Sequence, residues 1–229
     1  QSPAGTDFVD ALDMDDVIFD IEITTNRPDA MGMMGLAREG AAAAEADLHF
    51  NDPILPKAGS GKELVVSIED TVLCPRYMAV VIDGVKIGPS PTWLQKKLLL
   101  AGQKPINNLV DITNYVRLEL AQPMHTFDYD KLNGGKIVVR TAREGEKMLA
   151  LDDVEYELSE GQLVIADEKG VIAVAGVMGG KETGTTEGTK TVVLEAAAFE
   201  SVQVRRTSRA LELRSDSQQI FEKGLSAKA

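Results

Sequence analysis

The chain has 229 residues, 44% hydrophobic and 26% charged but only 5% aromatic, with a formal net charge of −12. That is globular composition with ample length for a core, which must rest on Ala, Val, Leu, Ile and Met rather than on rings. The acidity argues against sequence-independent binding along a nucleic-acid backbone, and one cysteine with two histidines leaves neither an internal disulfide nor a common zinc pattern.

In chain order, residues 17 to 23 (Val-Ile-Phe-Asp-Ile-Glu-Ile) alternate so that Val17, Phe19, Ile21 and Ile23 share a face, which predicts a half-buried strand. Asn26-Arg27-Pro28-Asp29 is turn chemistry, with Asp29 positioned to cap an Ala-rich helix over 31–46. Pro53, Pro56, Gly59 and Gly61 mark a linker over 51–62. One strand and one helix bury too little to stand alone, so residues 1–56 are expected to be a partial N-terminal domain and 57–229 the main module.

Arg76 to Ile87 reads as strand around an Asp83-Gly84 turn. Ser90-Pro91 predicts a capped helix that Gly102 closes. A second helix over about 107–120 places Leu109, Ile112 and Val116 on one side. Short strands follow at 136–141, 163–167, 171–177 and 191–195, with a hairpin through Asp167–Gly170 and a last helix over about 199–211. Helices at the ends and strands grouped between them indicate α+β rather than a doubly wound sheet.

Residues 104 to 130 gather Asn107, Asn108, Asp111, Thr113, Asn114, Gln122, His125 and Asp128. A helix that only covers a core does not need such a face, which suits a pocket for a small polar group and an ordered water. Thr113 and Asn114 could equally bond their own backbone, and His125 could simply bond a carbonyl. None of the three is a strong base, so no conventional acid–base pair is visible. Gly176-Val-Met-Gly-Gly180 lacks the phosphate-loop spacings. Glu195 ends the apolar run Val192–Leu194, where a carboxylate needs a partner; that partner is an arginine among Arg205, Arg206 and Arg209, or else Glu195 is the acceptor at a pocket floor. Cys74 reads as a buried small hydrophobe.

Ile23-Thr-Thr-Asn-Arg-Pro-Asp29, Gly88-Pro-Ser-Pro-Thr-Trp-Leu94, residues 104–128, Ala175-Gly-Val-Met-Gly-Gly180 and Phe221-Glu-Lys-Gly224 together resemble the beta subunit of bacterial phenylalanyl-tRNA synthetase, from about Val17 to Gly224. The resemblance implies a three-layer α+β sandwich of mixed and antiparallel sheets with helices on one side, plus a small N-terminal piece of another domain. It also implies an editing activity that hydrolyses tyrosine wrongly attached to the phenylalanine tRNA.

Carried over by position, the resemblance assigns catalysis to Thr113, Asn114 and His125, the reading of the tyrosine hydroxyl to Glu195, and a pocket wall to Gly179. Lys104 stands where the family usually has arginine, which keeps the charge without the bidentate fork. Ser215 keeps a family hydroxyl, Ser217 replaces a smaller alanine, and Ile220 stands where arginine is common; rate or selectivity is open to change. No cofactor is implied for this chain. ATP and magnesium belong to the parent ligase, whose aminoacylation site lies in a partner alpha subunit within a two-alpha, two-beta assembly. The expected partners are that subunit and the 3′ end of a tyrosine-bearing tRNA, in the cytoplasm and without a membrane. A non-catalytic scaffold with a drifted pocket, or an unrelated small-molecule enzyme, are the competing readings.

Overall fold

The computed structural model describes residues 3–12, 14–50, 53–59 and 61–227, so positions 51, 52 and 60 of the expected linker lie outside it. The first elements are α1 (Phe8–Leu12), a 3-10 turn (Pro28–Met31) and α2 (Met33–Ala44). Then come β1 (Val65–Ile68), β2 (Arg76–Asp83), α3 (Thr92–Leu100), α4 (Asn108–Leu120), β3 (Met124–Asp128) and β4 (Lys136–Thr141). The rest is β5 (Lys147–Leu149), β6 (Glu155–Glu157), β7 (Leu163–Ala166), β8 (Val171–Val174), β9 (Met178–Gly179), β10 (Thr191–Ala198), α5 (Ser201–Ala210) and α6 (Asp216–Phe221). The protein is α+β, as its element order implies.

Two sheets build the core. Five strands run β1-β4-β7-β8-β9, antiparallel except for the parallel β1–β4 pair, and three run β2-β10-β3, all antiparallel. In the small sheet one face is turned inward: Tyr77, Ala79 and Val81 pack on the core, while Met78, Val80 and Ile82 stay 46%, 59% and 41% exposed. Phe127, Val193 and Ala197 share that inner face and meet Ile137, Val139, Ile165 and Val174 of the large sheet in one cluster. β7 is buried along its whole length, as a strand covered on both faces must be. Helices accompany both sheets, α4 against β3 and α5 against β7.

Local chemistry explains the boundaries that the sequence displays. Asn107 caps α4 by accepting from the N–H groups of Leu109 and Val110 at 3.1 and 3.0 Å. Glu200 does the same for α5. The Asp167–Gly170 turn forms as expected, the Asp167 carboxylate accepting from the N–H groups of Lys169 and Gly170.

Several expectations are corrected. Residues 17–23 form no strand, and Val17, Ile18 and Phe19 are 73%, 69% and 77% exposed. Alternation supplies an apolar face, but among the described residues no strand lies alongside to pair its backbone. Asp29 does not cap the helix; its carboxylate accepts a forked pair of bonds from Arg27 at 2.9 and 2.8 Å. Ser90 does not cap α3 either: Pro91 occupies that position, and the Ser90 hydroxyl donates to Asp111. In α4, Leu109, Asp111 and Arg117 are buried, whereas Ile112 is 48% exposed.

Candidate functional site

A cavity of about 200 Å³ opens between the two sheets beside the start of α6. One wall comes from β3 and β10, through His125 and Glu195; the opposite wall comes from β8, the turn after it and β9, ending at Gly179. Ser215, Ser217 and Phe221 close one end, and Leu151 another. A cavity of roughly 150 Å³ already accepts benzene, so this one has room for a single aromatic side chain.

The register of the small sheet decides which groups meet. β10 is central, and Glu195 stands directly opposite His125 on one neighbour and Ala79 on the other. All three therefore share the inner face, because side chains of directly opposed residues lie on the same side of a sheet. Glu195 is 5% exposed. Its partner is not an arginine: Arg205, Arg206 and Arg209 are exposed along α5, and the Tyr77 hydroxyl donates to Glu195 Oε2 at 2.9 Å. Burial pushes the Glu195 carboxyl up to about 7, and the Tyr77 bond draws it partly back. The Tyr77 phenol is held well above its ordinary range by burial and by the carboxylate beside it.

His125 packs edge-on to Phe127, ring centres 4.6 Å apart, and burial holds its imidazole down at about 4. It is a neutral ring at neutral pH, and its Nε2 is buried without a hydrogen-bond partner among the described residues. Leaving such an atom unpaired costs about 1–3 kcal/mol. Gly179 lies against this ring. A Cβ there would stand 2.3 Å from His125 Cε1, so the position admits only a bare Cα while the ring keeps its place. Ser215 is fixed twice over: its hydroxyl donates to the Val177 carbonyl and caps α6 by accepting from the Gln218 N–H, both at 3.1 Å. Asp216 next to it pairs with Arg117 at 3.1 Å, tying α6 to α4.

The cavity therefore brings together His125, Gly179, Glu195, Ser215 and Ser217. Thr113, Asn114 and Lys104 are not among its lining residues. Thr113 donates its hydroxyl to the Val110 carbonyl at 2.8 Å, within its own helix. Lys104 is exposed in the loop between α3 and α4.

Most of the polar residues between 104 and 130 turn out to serve architecture. Asn108 bonds Gly88 N and Lys86 O, Gln122 donates to Ala197 O, and Asp128 accepts from Thr189 at 2.6 Å. Asp111, fully buried, accepts from Ile106 N and from Ser90. These loops leave backbone groups that strands and helices do not pair, and side chains pair them instead. Sequence reasoning missed Tyr77; its only signal is the alternation that sets it on the inner face of β2.

Two separate lines of similarity bear on this site. A family model described as the B3/4 domain matches residues 73–229, and the chain belongs to that family. Over 98% of its length it is 47% identical to the phenylalanine–tRNA ligase beta subunit of Carboxydothermus hydrogenoformans, and over 96% it is 46% identical to that of Bacillus subtilis. In both cases the chain spans 28% of the relative's length. An N-terminal fragment of the phenylalanyl-tRNA synthetase beta subunit from Pyrococcus horikoshii is a more distant neighbour: 17% identity, a TM-score of 0.49, and coverage of 90% of this chain and 67% of that one.

Proposed function

We propose that the cavity is an editing site, which hydrolyses tyrosine esterified to the 3′ end of the phenylalanine tRNA. The carrying observation is Glu195: a buried acceptor at the wall of an otherwise largely apolar cavity sized for one aromatic ring. A phenol entering there finds a partner. A phenylalanine ring leaves Oε1 of the carboxyl, the oxygen that Tyr77 does not hold, desolvated and unpaired, a kind of selection that can exceed a thousandfold.

In this reading His125 offers Nε2 to the ester or to the attacking water, and Gly179 leaves it room to do so. No strong base is needed to hold the water, and the terminal ribose hydroxyl of the tRNA delivers a proton. Ser215 and Ser217 form the polar end of the cavity. Thr113, Asn114 and Lys104 lie outside the cavity lining and enter this reading through the resemblance alone, the first two as catalytic groups and Lys104 as a contact to a terminal phosphate or ribose. Aminoacylation, with its ATP and magnesium, belongs to an alpha subunit of a cytoplasmic ligase.

The test is hydrolysis of tyrosyl-tRNA by the purified chain and by Glu195→Ala. Loss of a charged acceptor is worth about 1.5–3 kcal/mol, so the rate should fall roughly ten- to a hundredfold with the fold intact. No hydrolysis by the parent would favour a scaffold that positions tRNA. An unchanged rate with a lowered melting temperature would make Glu195 a purely structural group.

A further inference from the structure

Glu195 is held from behind by a residue that takes no part in lining the cavity. Tyr77 lies opposite Ala197 on β10, two positions from Glu195's own partner Ala79, and reaches diagonally along the inner face to Oε2. Such diagonal neighbours lie about 7–8 Å apart, within reach of an aromatic side chain. The other oxygen, Oε1, accepts no hydrogen bond among the described residues, and Glu195 itself lines the cavity.

The remaining groups around this carboxyl cannot hold a charge on it. Cys74, buried just before β2, has its thiol pushed up to about 12 by burial and by Glu195. His125, directly across on β3, is neutral at neutral pH. From α6 the cavity receives only the hydroxyls of Ser215 and Ser217 and the ring of Phe221. Tyr77 is therefore the one hydrogen-bond donor to the Glu195 carboxyl among the described residues. For packing alone, a phenylalanine at 77 and an apolar residue at 195 would fill the same space without burying two polar groups.

We propose that Tyr77 is a positioning residue of this site: by holding one oxygen of Glu195 it keeps the other presented, as an acceptor, to the hydroxyl of a phenol in the cavity. The carboxyl then bridges two phenols, one belonging to the protein and one to the ligand. The inference rests on the editing reading and adds to it the group that fixes the acceptor's orientation and charge.

The readout is the ratio of tyrosyl-tRNA to phenylalanyl-tRNA hydrolysis as a function of pH, in which the general hydroxide dependence of ester cleavage cancels. In the parent the ratio should rise with pH through about 7, as Glu195 ionises. Tyr77→Phe keeps the ring and removes the donor. It should move that rise upward by about one pH unit and lower the ratio at neutral pH severalfold, with the melting temperature little changed. Replacing all tyrosines by 3-fluorotyrosine, a stronger donor, should move the rise downward. This second protein decides the matter if Tyr77→Phe does not fold. A midpoint that stays in place in either folded protein overturns the role of Tyr77. The editing reading fails separately, if Glu195→Gln leaves the ratio unchanged.

Discussion

The ring of His125 rests on the bare Cα of Gly179, near enough that an added methyl would stand 2.3 Å from Cε1 and 2.7 Å from Nε2. Strand β9, which carries this glycine, is two residues long and lies at the edge of the large sheet, paired with β8 and accepting from the Leu151 N–H through the Gly179 carbonyl. Gly179→Ala should therefore displace the imidazole rather than unfold the sheet. Overpacking of this kind costs about 1–3 kcal/mol, whereas a misplacement of roughly 1 Å can lower a rate by about a hundredfold. Tyrosyl-tRNA hydrolysis should fall far more than the melting temperature suggests. Equal rates for variant and parent would show that His125 is not used.

The two titrating groups on the inner face pull stability in opposite directions with pH. The Glu195 carboxyl is raised from 4.5 to about 7, so the fold favours its protonated form; that contribution is fully present below pH 4.5 and is lost as pH rises through about 7. His125 is lowered from 6.5 to about 4; its contribution is fully present above pH 6.5 and is lost as pH falls through about 4. Urea midpoints between pH 4 and 8 should show the parent's stability falling relative to Glu195→Gln as pH rises from 4.5 to 7. His125→Gln should flatten the acid limb instead. A parent-minus-variant difference that does not change with pH would contradict both assignments.

Asp111 is a structural hub, not a site residue. Replacing it with Ala orphans the Ile106 N–H and the Ser90 hydroxyl, both of which it now satisfies. The buried Ser90 hydroxyl left unpaired costs about 1–3 kcal/mol, and the N–H of the exposed Ile106 costs less because water can reach it. The urea midpoint should drop with an unchanged slope. The ratio of tyrosyl to phenylalanyl hydrolysis in the remaining folded protein should stay that of the parent.

Lys104 is exposed in an acidic chain of net charge −12, and the cavity does not include it. Lys104→Ala should weaken tRNA binding and reduce the slope of log affinity against log salt by about one. Choice between tyrosine and phenylalanine should not change. Lost discrimination at unchanged affinity would assign it to the amino-acid pocket.

What the sequence by itself determined is local. A helix over about 107–120, the Asp167–Gly170 hairpin and the short strands at 136–141 and 191–195 are legible, because helical spacing, turn formation and short apolar runs depend on residues a few positions apart. The same logic misleads at 17–23, where alternation is present and no neighbouring strand is found among the described residues. It also overvalued the polar run after Lys104, whose side chains mostly pair backbone in loops that only the folded chain brings near. Strand β3 escaped notice because its inward positions alternate one polar ring, His125, with one apolar ring, Phe127.

The site was decided by tertiary structure. His125 and Glu195 are 70 positions apart, and Tyr77 and Glu195 118, yet one pairing register sets all three on a single face. A slip of one residue in that register would turn Glu195 outward and bury Leu194 or Ala196 in its place. What holds the register is the joint burial of Phe127, Val193 and Val81 against the large sheet. That free energy belongs to the packed sheets together and to no segment alone, which is why it cannot be read from any stretch of the sequence.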